Sequence, residues 1–364
     1  MTVLDPRALN RALLARQHLL APAPLTPLQL TEHLVGLQAQ ASDAPYYGLW
    51  TRLPDFRPEQ LDALLLDRSA VRLGLQRGTI HLVSAADCLR WRTLFQPVLD
   101  QGLRGAFGAR LAGLDPDALA ARGRALVAAD PRTFQELGAL LAADHPDRDP
   151  AALAQLLRAR LALVQVPPRG LWRTSGPAAH TTAEQWLGAP LAPPGDPDEL
   201  VLRYLRAFGP ATVADVQKWS GLTRLAPVLE RLRPRLVEFR DVAGRTLYDH
   251  PDAPRPDGST PVPVRLVAPF DNLLLSHADR ARILPDEYRR AVMGANGIVR
   301  GTVLLDGFVA GLWQLTRTRT RAVATLHPLT PWTRPTRTAA EAAAERALAF
   351  AAPELTVHEV VLEG

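Results

Sequence analysis

Asp198-Glu-Leu-Val-Leu-Arg-Tyr-Leu-Arg-Ala-Phe208, then Gly209-Pro210, then Thr212-Val-Ala-Asp215, sets a helix, a stop and a fresh helix start in close succession. Apolar residues in the first segment recur with helical period, and Gly209-Pro210 ends it. Thr212 with a carboxylate three residues on is a capping box. It opens a helix that runs through Trp219 and stops at Gly221. Thr223 caps a second helix over 224–232, with Pro227 near its first turn. Residues 236–240 and 245–248, joined through Ala243-Gly244, have the signature of a β-hairpin. Two helices and a hairpin in this order make a winged helix, which reads duplex DNA with its second helix in the major groove. Arg224, Arg231, Arg233 and Arg235 lie on or just after that helix.

The same plan is visible twice upstream. Thr133-Phe-Gln-Glu136 is a second capping box, followed by a helix over 150–160 and a wing formed by 161–166 and 171–173. Thr26-Pro-Leu-Gln29 is the first, with a helix over 58–67, strands over 71–75 and 79–83, and a wing tip at Gln76-Arg-Gly78. The copies share a pattern and little residue identity. After a Pro-, Asp- and Gly-rich linker over 251–263, the texture becomes β-like. Strands are expected over 264–267, 272–275, 298–305, 308–315, 321–326 and 355–362, with a hairpin turn at Asp306-Gly307 and an alanine-rich helix over 338–350 capped by Thr338. The expected class is α+β: winged helices in 1–110, 111–190 and 195–250, then a mostly-β, barrel-like domain in 260–364.

The chain has 364 residues, 47% hydrophobic and 22% charged, which suits several domains around a substantial core. No apolar run reaches the roughly 18 residues of a membrane span, and no signal-peptide pattern opens the chain. A cytoplasmic setting is the default expectation. Cys88 is the single cysteine, which excludes an internal disulfide and a cysteine zinc cage; no metal and no cofactor are expected. The net charge of +5 favours an anionic partner. Lys218 is the only lysine, so Schiff-base chemistry has one side-chain candidate.

Leu34-Val-Gly-Leu-Gln-Ala-Gln40 carries the sharpest chemical signal. Gln38 and Gln40 flank one alanine, and amides can orient water without carrying charge. On a continuous helix they would point about 200° apart. Gly36 before them and Ser42-Asp43-Ala44-Pro45 after them predict a helix end that delivers both amides to one place. The alternative is that the amides satisfy backbone groups at a buried helix end. Arg77, Thr79 and His81 have the spacing of one strand face. Arg77 could hold phosphate and His81 could donate to DNA, or all three could be structural. Ser276-His-Ala-Asp-Arg280 has hydrolase residue types but no nucleophile elbow, and no P-loop or dinucleotide fingerprint occurs.

Several stretches together resemble the winged-helix DNA glycosylases of the AlkZ type and their YcaQ-type relatives. They are Leu37-Gln-Ala-Gln40 with Tyr46-Tyr-Gly-Leu-Trp50, Arg77-Gly-Thr-Ile-His-Leu82, Pro168-Arg-Gly-Leu-Trp172, Phe208-Gly-Pro-Ala-Thr212, Phe270-Asp-Asn-Leu-Leu-Leu-Ser-His-Ala-Asp-Arg280 and Gly301 to Trp313. The resemblance implies three tandem winged helices around a basic channel. It also implies excision of N7-alkylated purines from double-stranded DNA, with crosslink unhooking in some members. Gln38 and Gln40 match the AlkZ branch of the signature and become the expected catalytic pair. Arg77, Thr79, His81, Lys218, Arg224 and Arg231 are the expected DNA contacts, and the turns at Gln76-Arg-Gly78 and at Asp306 and Gly307 are the expected probes. The competing expectations are a non-catalytic DNA-binding transcriptional regulator and a protein-binding scaffold.

Overall fold

Thr26 with Gln29, Thr133 with Glu136 and Thr212 with Asp215 each form a reciprocal pair of hydrogen bonds. The threonine hydroxyl accepts from an amide that the helix leaves free, and the side chain three residues on accepts from the threonine's own amide. In the computed structural model, which describes residues 2–294 and 296–363, each box has the same place in a recurring order of elements.

The chain begins with Val3–Leu4 (β1) and Pro6–Arg16 (α1), and Thr26 then opens Pro27–His33 (α2). Leu37–Gln38 (β2) and Ala44–Trp50 (α3) precede Pro58–Leu66 (α4) and the hairpin of Ala70–Gly74 (β3) and Ile80–Ser84 (β4). Ala85–Trp91 (α5) and Gln96–Phe107 (α6) lead to the second unit: Pro116–Ala129 (α7), Arg132–Thr133 (β5), Phe134–Asp144 (α8), Pro150–Arg160 (α9), Leu163–Gln165 (β6) and Ala179–Thr182 (β7). After Ala183–Leu187 (α10), the third comprises Asp198–Phe208 (α11), Val213–Ser220 (α12), Ala226–Leu232 (α13), Val237–Asp241 (β8) and Thr246–Asp249 (β9). Pro58, Pro150 and Pro227 stand in the first turns of α4, α9 and α13, where a missing amide leaves no helix bond unmade. The link before that helix covers 145–149 and 221–225 in the second and third units, but 34–57 in the first. This long link carries Gln38 and Gln40.

Two local expectations change here. α13 starts at Ala226, because Arg224 has a left-handed φ of 61° and the Leu225 amide donates to Gln217 Oε1 at 3.0 Å. The second hairpin pairs β6 with β7, because residues 171–173 are drawn elsewhere. The Trp172 amide donates to Asp62 at 2.9 Å, and its ring packs among Tyr46, Tyr47 and Phe350.

The last part of the chain contains Arg265–Val267 (β10), a 3-10 turn at Asn272–Leu274, Arg289–Val292 (α14), Gly301–Leu305 (β11), Phe308–Arg317 (β12), Arg321–Pro328 (β13), Arg334–Ala351 (α15) and Val357–Leu362 (β14). Its sheet has the order β10-β11-β12-β13-β14 and stays open, so it is no barrel. α15 links the parallel strands β13 and β14 and buries Ala340, Ala343, Ala344, Ala347 and Ala351 against the sheet, which removes the need for the sheet to curl on itself. The helix is capped by Thr333 rather than Thr338, with Pro335 in its first turn. The expected strand at 272–275 is a turn because the Asp271 carboxylate accepts from the Leu273 amide at 2.9 Å while a buried Arg52 grips both its oxygens.

The result is an α+β protein whose parts interlock. One six-stranded sheet, β2-β4-β3-β6-β7-β5, draws strands from both sides of residue 110. β1 runs parallel to β8, and buried Arg16 holds Asp249 at 2.6 and 2.8 Å. The largest apolar core includes Leu13, Val71, Trp91, Tyr204, Trp219 and Leu274, which joins the first unit, the third unit and the last.

Candidate functional site

The glutamine segment is extended. α2 ends at His33, then Val35 (φ 56°) and Gly36 (φ 90°) reverse the chain. A Cβ on Gly36 would stand 2.7 Å from Val83 Cγ1 and 3.0 Å from the Leu82 carbonyl oxygen, so both conformation and space require glycine. Leu37 and Gln38 then pair antiparallel with Leu82 and His81, and the Ala39 amide donates to Ile80 O at 2.8 Å. A strand, not a helix end, therefore carries the two amides. Its pleat sends Ala39 into the core and puts Gln38 and Gln40 on the opposite side. Gln38 is 7% exposed, whereas Gln40 is open to solvent with its Oε1 3.5 Å from the Ile80 amide.

Arg77 organises this corner. It has a left-handed φ of 56° in the turn before β4, not on a strand face with His81. Its guanidinium donates to Gln38 Oε1 at 2.8 Å, Asn272 Oδ1 at 3.0 Å, His81 Nε2 at 3.3 Å and the Trp219 carbonyl. Asn272 in turn donates to Gly36 O at 3.1 Å. A guanidinium only donates, so Gln38 presents Oε1 to it, which fixes the sense of the amide. The same logic fixes His81. Its Nδ1 lies 3.1 Å from the Thr79 carbonyl and must carry the proton, leaving the Nε2 lone pair toward Arg77. Burial, and then the Arg77 charge, pushes the His81 pKa down to about 3, so the ring is neutral at pH 7. Burial, and then Arg280, lowers Arg77 to about 10, so it stays charged. Arg77 and His81 thus hold the site from inside. The half-buried Thr79 hydroxyl closes the turn locally, donating from Oγ1 to Gln76 O at 3.1 Å.

Arg72 is a second organiser, and it was absent from the sequence-derived set. Buried on β3, it donates to Ala39 O at 2.9 Å, Ser42 O at 3.1 Å and Gln165 Oε1 at 3.2 Å. From β3 of the first unit it therefore grips the backbone on both sides of Gln40, and Gln165 on the second unit's β6 braces it. The available signal was one arginine at a core position between Val71 and Leu73. Asn272 and the Trp219 carbonyl were missed because nothing in the sequence places 219 and 272 beside 38.

The other candidates separate by their surroundings. Lys218 and Arg224 are exposed and form no ion pair among the described residues. Arg231 is paired with Asp198 and Asp196. The Asp306 and Gly307 turn has no free tip. Asp306 is held by Arg7 and Arg11, Gly307 O accepts from Asn10 at 2.8 Å, and a Cβ on Gly307 would stand 2.3 Å from Asn10 Oδ1. The wing tip at Gln76-Arg-Gly78 is also docked, since Gln76 donates to Val35 O at 2.8 Å and Arg77 faces inward. Ser276 donates to Asn272 O, His277 contacts Phe208 O at 3.0 Å and Asp279 pairs with Arg245, so they form no triad. Among the described residues no cluster of His, Cys, Asp or Glu could hold a metal ion. No helix among them is long and apolar enough to cross a membrane.

The chain is similar to known proteins over most of its length. A profile for the family described as DNA glycosylase AlkZ-like matches residues 31–350. The interstrand DNA cross-link repair glycosylase of Streptomyces sahachiroi is 26% identical over 307 residues, covering 78% of this chain and 80% of its own. The solved structure of Streptomyces sahachiroi DNA glycosylase AlkZ superposes with a TM-score of 0.78 at 21% identity, covering 100% of both chains, and so shares the fold.

Proposed function

This chain belongs to the AlkZ-like DNA glycosylase family, and from that premise we propose that it hydrolyses the N-glycosidic bond of N7-alkylated purines in duplex DNA, with Gln38 and Gln40 positioning the attacking water. The observation that carries this reading is the amide of Gln38, oriented by Arg77 at the seam of three parts of the fold and two residues from the exposed Gln40. We read the three helix-helix-hairpin units as winged helices that hold the duplex against this seam, with exposed Lys218 and Arg224 on its backbone. In this reading the protein acts as a monomer on the bacterial nucleoid.

The chemistry suits neutral groups. An N7-alkylpurine is cationic, so when the C1′–N9 bond breaks, its electron pair moves into the base, which leaves neutral. No general acid is needed, and His81 offers none because its Nε2 carries no proton. The sugar becomes oxocarbenium-like, water adds to C1′ and its proton passes to solvent. The amide oxygens of Gln38 and Gln40 accept the water's hydrogens and aim its lone pair, which is catalysis by position. Lys218, the only lysine, is exposed on α12 and the Gln38–Gln40 segment has none, which supports a monofunctional enzyme that leaves an abasic strand intact. Unhooking of interstrand crosslinks, the activity in the Streptomyces relative's name, is part of the proposal.

The test is release of free 7-methylguanine from methylated duplex. The Gln38→Ala, Gln40→Ala double variant should bind DNA and release no base. Full release by that variant ends the assignment, and strand cleavage without heat or alkali ends the monofunctional reading.

A further inference from the structure

We propose that Arg280 and Arg289 form a phosphate-binding site for the DNA backbone, in a cleft built by the stretch of chain that also supplies Asn272 to Arg77. This rests on the DNA-binding half of the reading above and is independent of base release.

The cleft has a volume of about 460 Å³, and its charged lining comprises Arg245, Asp279, Arg280, Asp286 and Arg289. Arg245 is neutralised by Asp241 and Asp279. Asp286 is exposed and makes no ion pair among the described residues. Arg280 and Arg289 also have no carboxylate within 4.0 Å among the described residues, and Arg280 Nε is buried without a hydrogen-bond partner. Beyond burial, the Arg289 charge lowers the pKa of Arg280, and the Arg280 charge lowers that of Arg77. Arg77 itself contacts only neutral groups. Arg280 and Arg289 thus share the cleft with no paired anion among the described residues.

Arg224 is also unpaired but stands exposed, whereas Arg280 is half-buried in the cleft with its Nε lacking a partner. Like charges held together without a counter-ion disfavour the folded state, and a run of them in a cleft concentrates positive potential there. A phosphodiester supplies the missing charge and acceptor oxygens that match the donor fork of arginine. Arg280 ends the segment that begins near Asn272, so the cleft and the Arg77 corner are built by one stretch of chain.

Binding of the full-length protein to a fluorescein-labelled, undamaged duplex is followed by anisotropy over a range of salt concentrations. Variants R280Q, R289Q and the double variant are compared with wild type. Each lost phosphate contact should reduce the slope of log affinity against log salt by about 0.9. Without DNA, the melting temperature of each variant should equal or exceed that of wild type, because like-charge repulsion is relieved. An unchanged slope in the double variant overturns the proposal. So does a lower melting temperature of exposed R289Q with its slope intact, which would make the residue structural. Wild type is assayed for 7-methylguanine release in parallel. Absence of release with a normal slope change would sink the catalytic reading and leave the phosphate site standing.

Discussion

Replacing Arg77 by methionine keeps the bulk and removes the donor that orients Gln38. Four acceptors on separate segments then lose one partner: Gln38 Oε1, Asn272 Oδ1, His81 Nε2 and the Trp219 carbonyl. A hydrogen bond from a charged donor contributes about 1.5–3 kcal/mol. Loss of that preference frees the amide to flip and to move. Flipping alone halves the competent population, a loss of about twofold. Displacement of a positioning group by about 1 Å costs about a hundredfold. Because the Trp219 and Asn272 ties also go, displacement should dominate, with a fall of about tenfold to a hundredfold. The assay is single-turnover release of 7-methylguanine with enzyme in saturating excess, beside anisotropy for binding and circular dichroism for folding. A folded Arg77→Met protein within twofold of wild type would show that Gln38 is held without Arg77 and refute the reasoning.

Arg72→Lys should lower the base-release rate more than DNA affinity, because one ammonium cannot span Ala39 O, Ser42 O and Gln165; equal losses in rate and affinity would contradict this. Gly36→Ala should destabilise the fold by about 1–3 kcal/mol in denaturant titrations, since the added Cβ is 2.7 Å from Val83 Cγ1 at a φ of 90°; unchanged stability would count against it. Acid should unfold the protein through its buried histidines. His81 and His277 are held down to about 3, and His18 and His180 to about 4, chiefly by burial. These folded values lie below the unfolded value of 6.5, so their neutral forms favour the fold above about pH 6.5 and that contribution is lost as pH falls toward 4 and 3. Each contributes a slope of about 1.4 kcal/mol per pH unit in that window. Unfolding stability that is flat from about pH 6.5 to pH 4 would exclude the effect.

Legibility followed the range of the interactions. Thr26, Thr133 and Thr212 reveal three helix starts because a capping box closes within four residues. Sequence spacing misplaced α13, the 272–275 turn and the partner of β6. Each depends on a group outside the local turn: Gln217 for Leu225, and the far more distant Arg52 for Asp271 and Asp62 for Trp172. The open sheet could not be told from a closed one, since alternating strands look alike until α15 is seen to cover a face.

The sequence by itself determined the repeated helix-helix-hairpin order, the family and the identity of the two glutamines, because local caps, period and motif spelling are properties of neighbouring residues. Only the tertiary structure decided what those glutamines face. It turned Arg77 and His81 inward, made His81 a neutral acceptor, and brought Trp219 and Asn272 to residue 38. The physical reason is burial: a guanidinium and an imidazole removed from water must find partners wherever the chain folds to supply them, and that supply is set by contacts far apart in sequence.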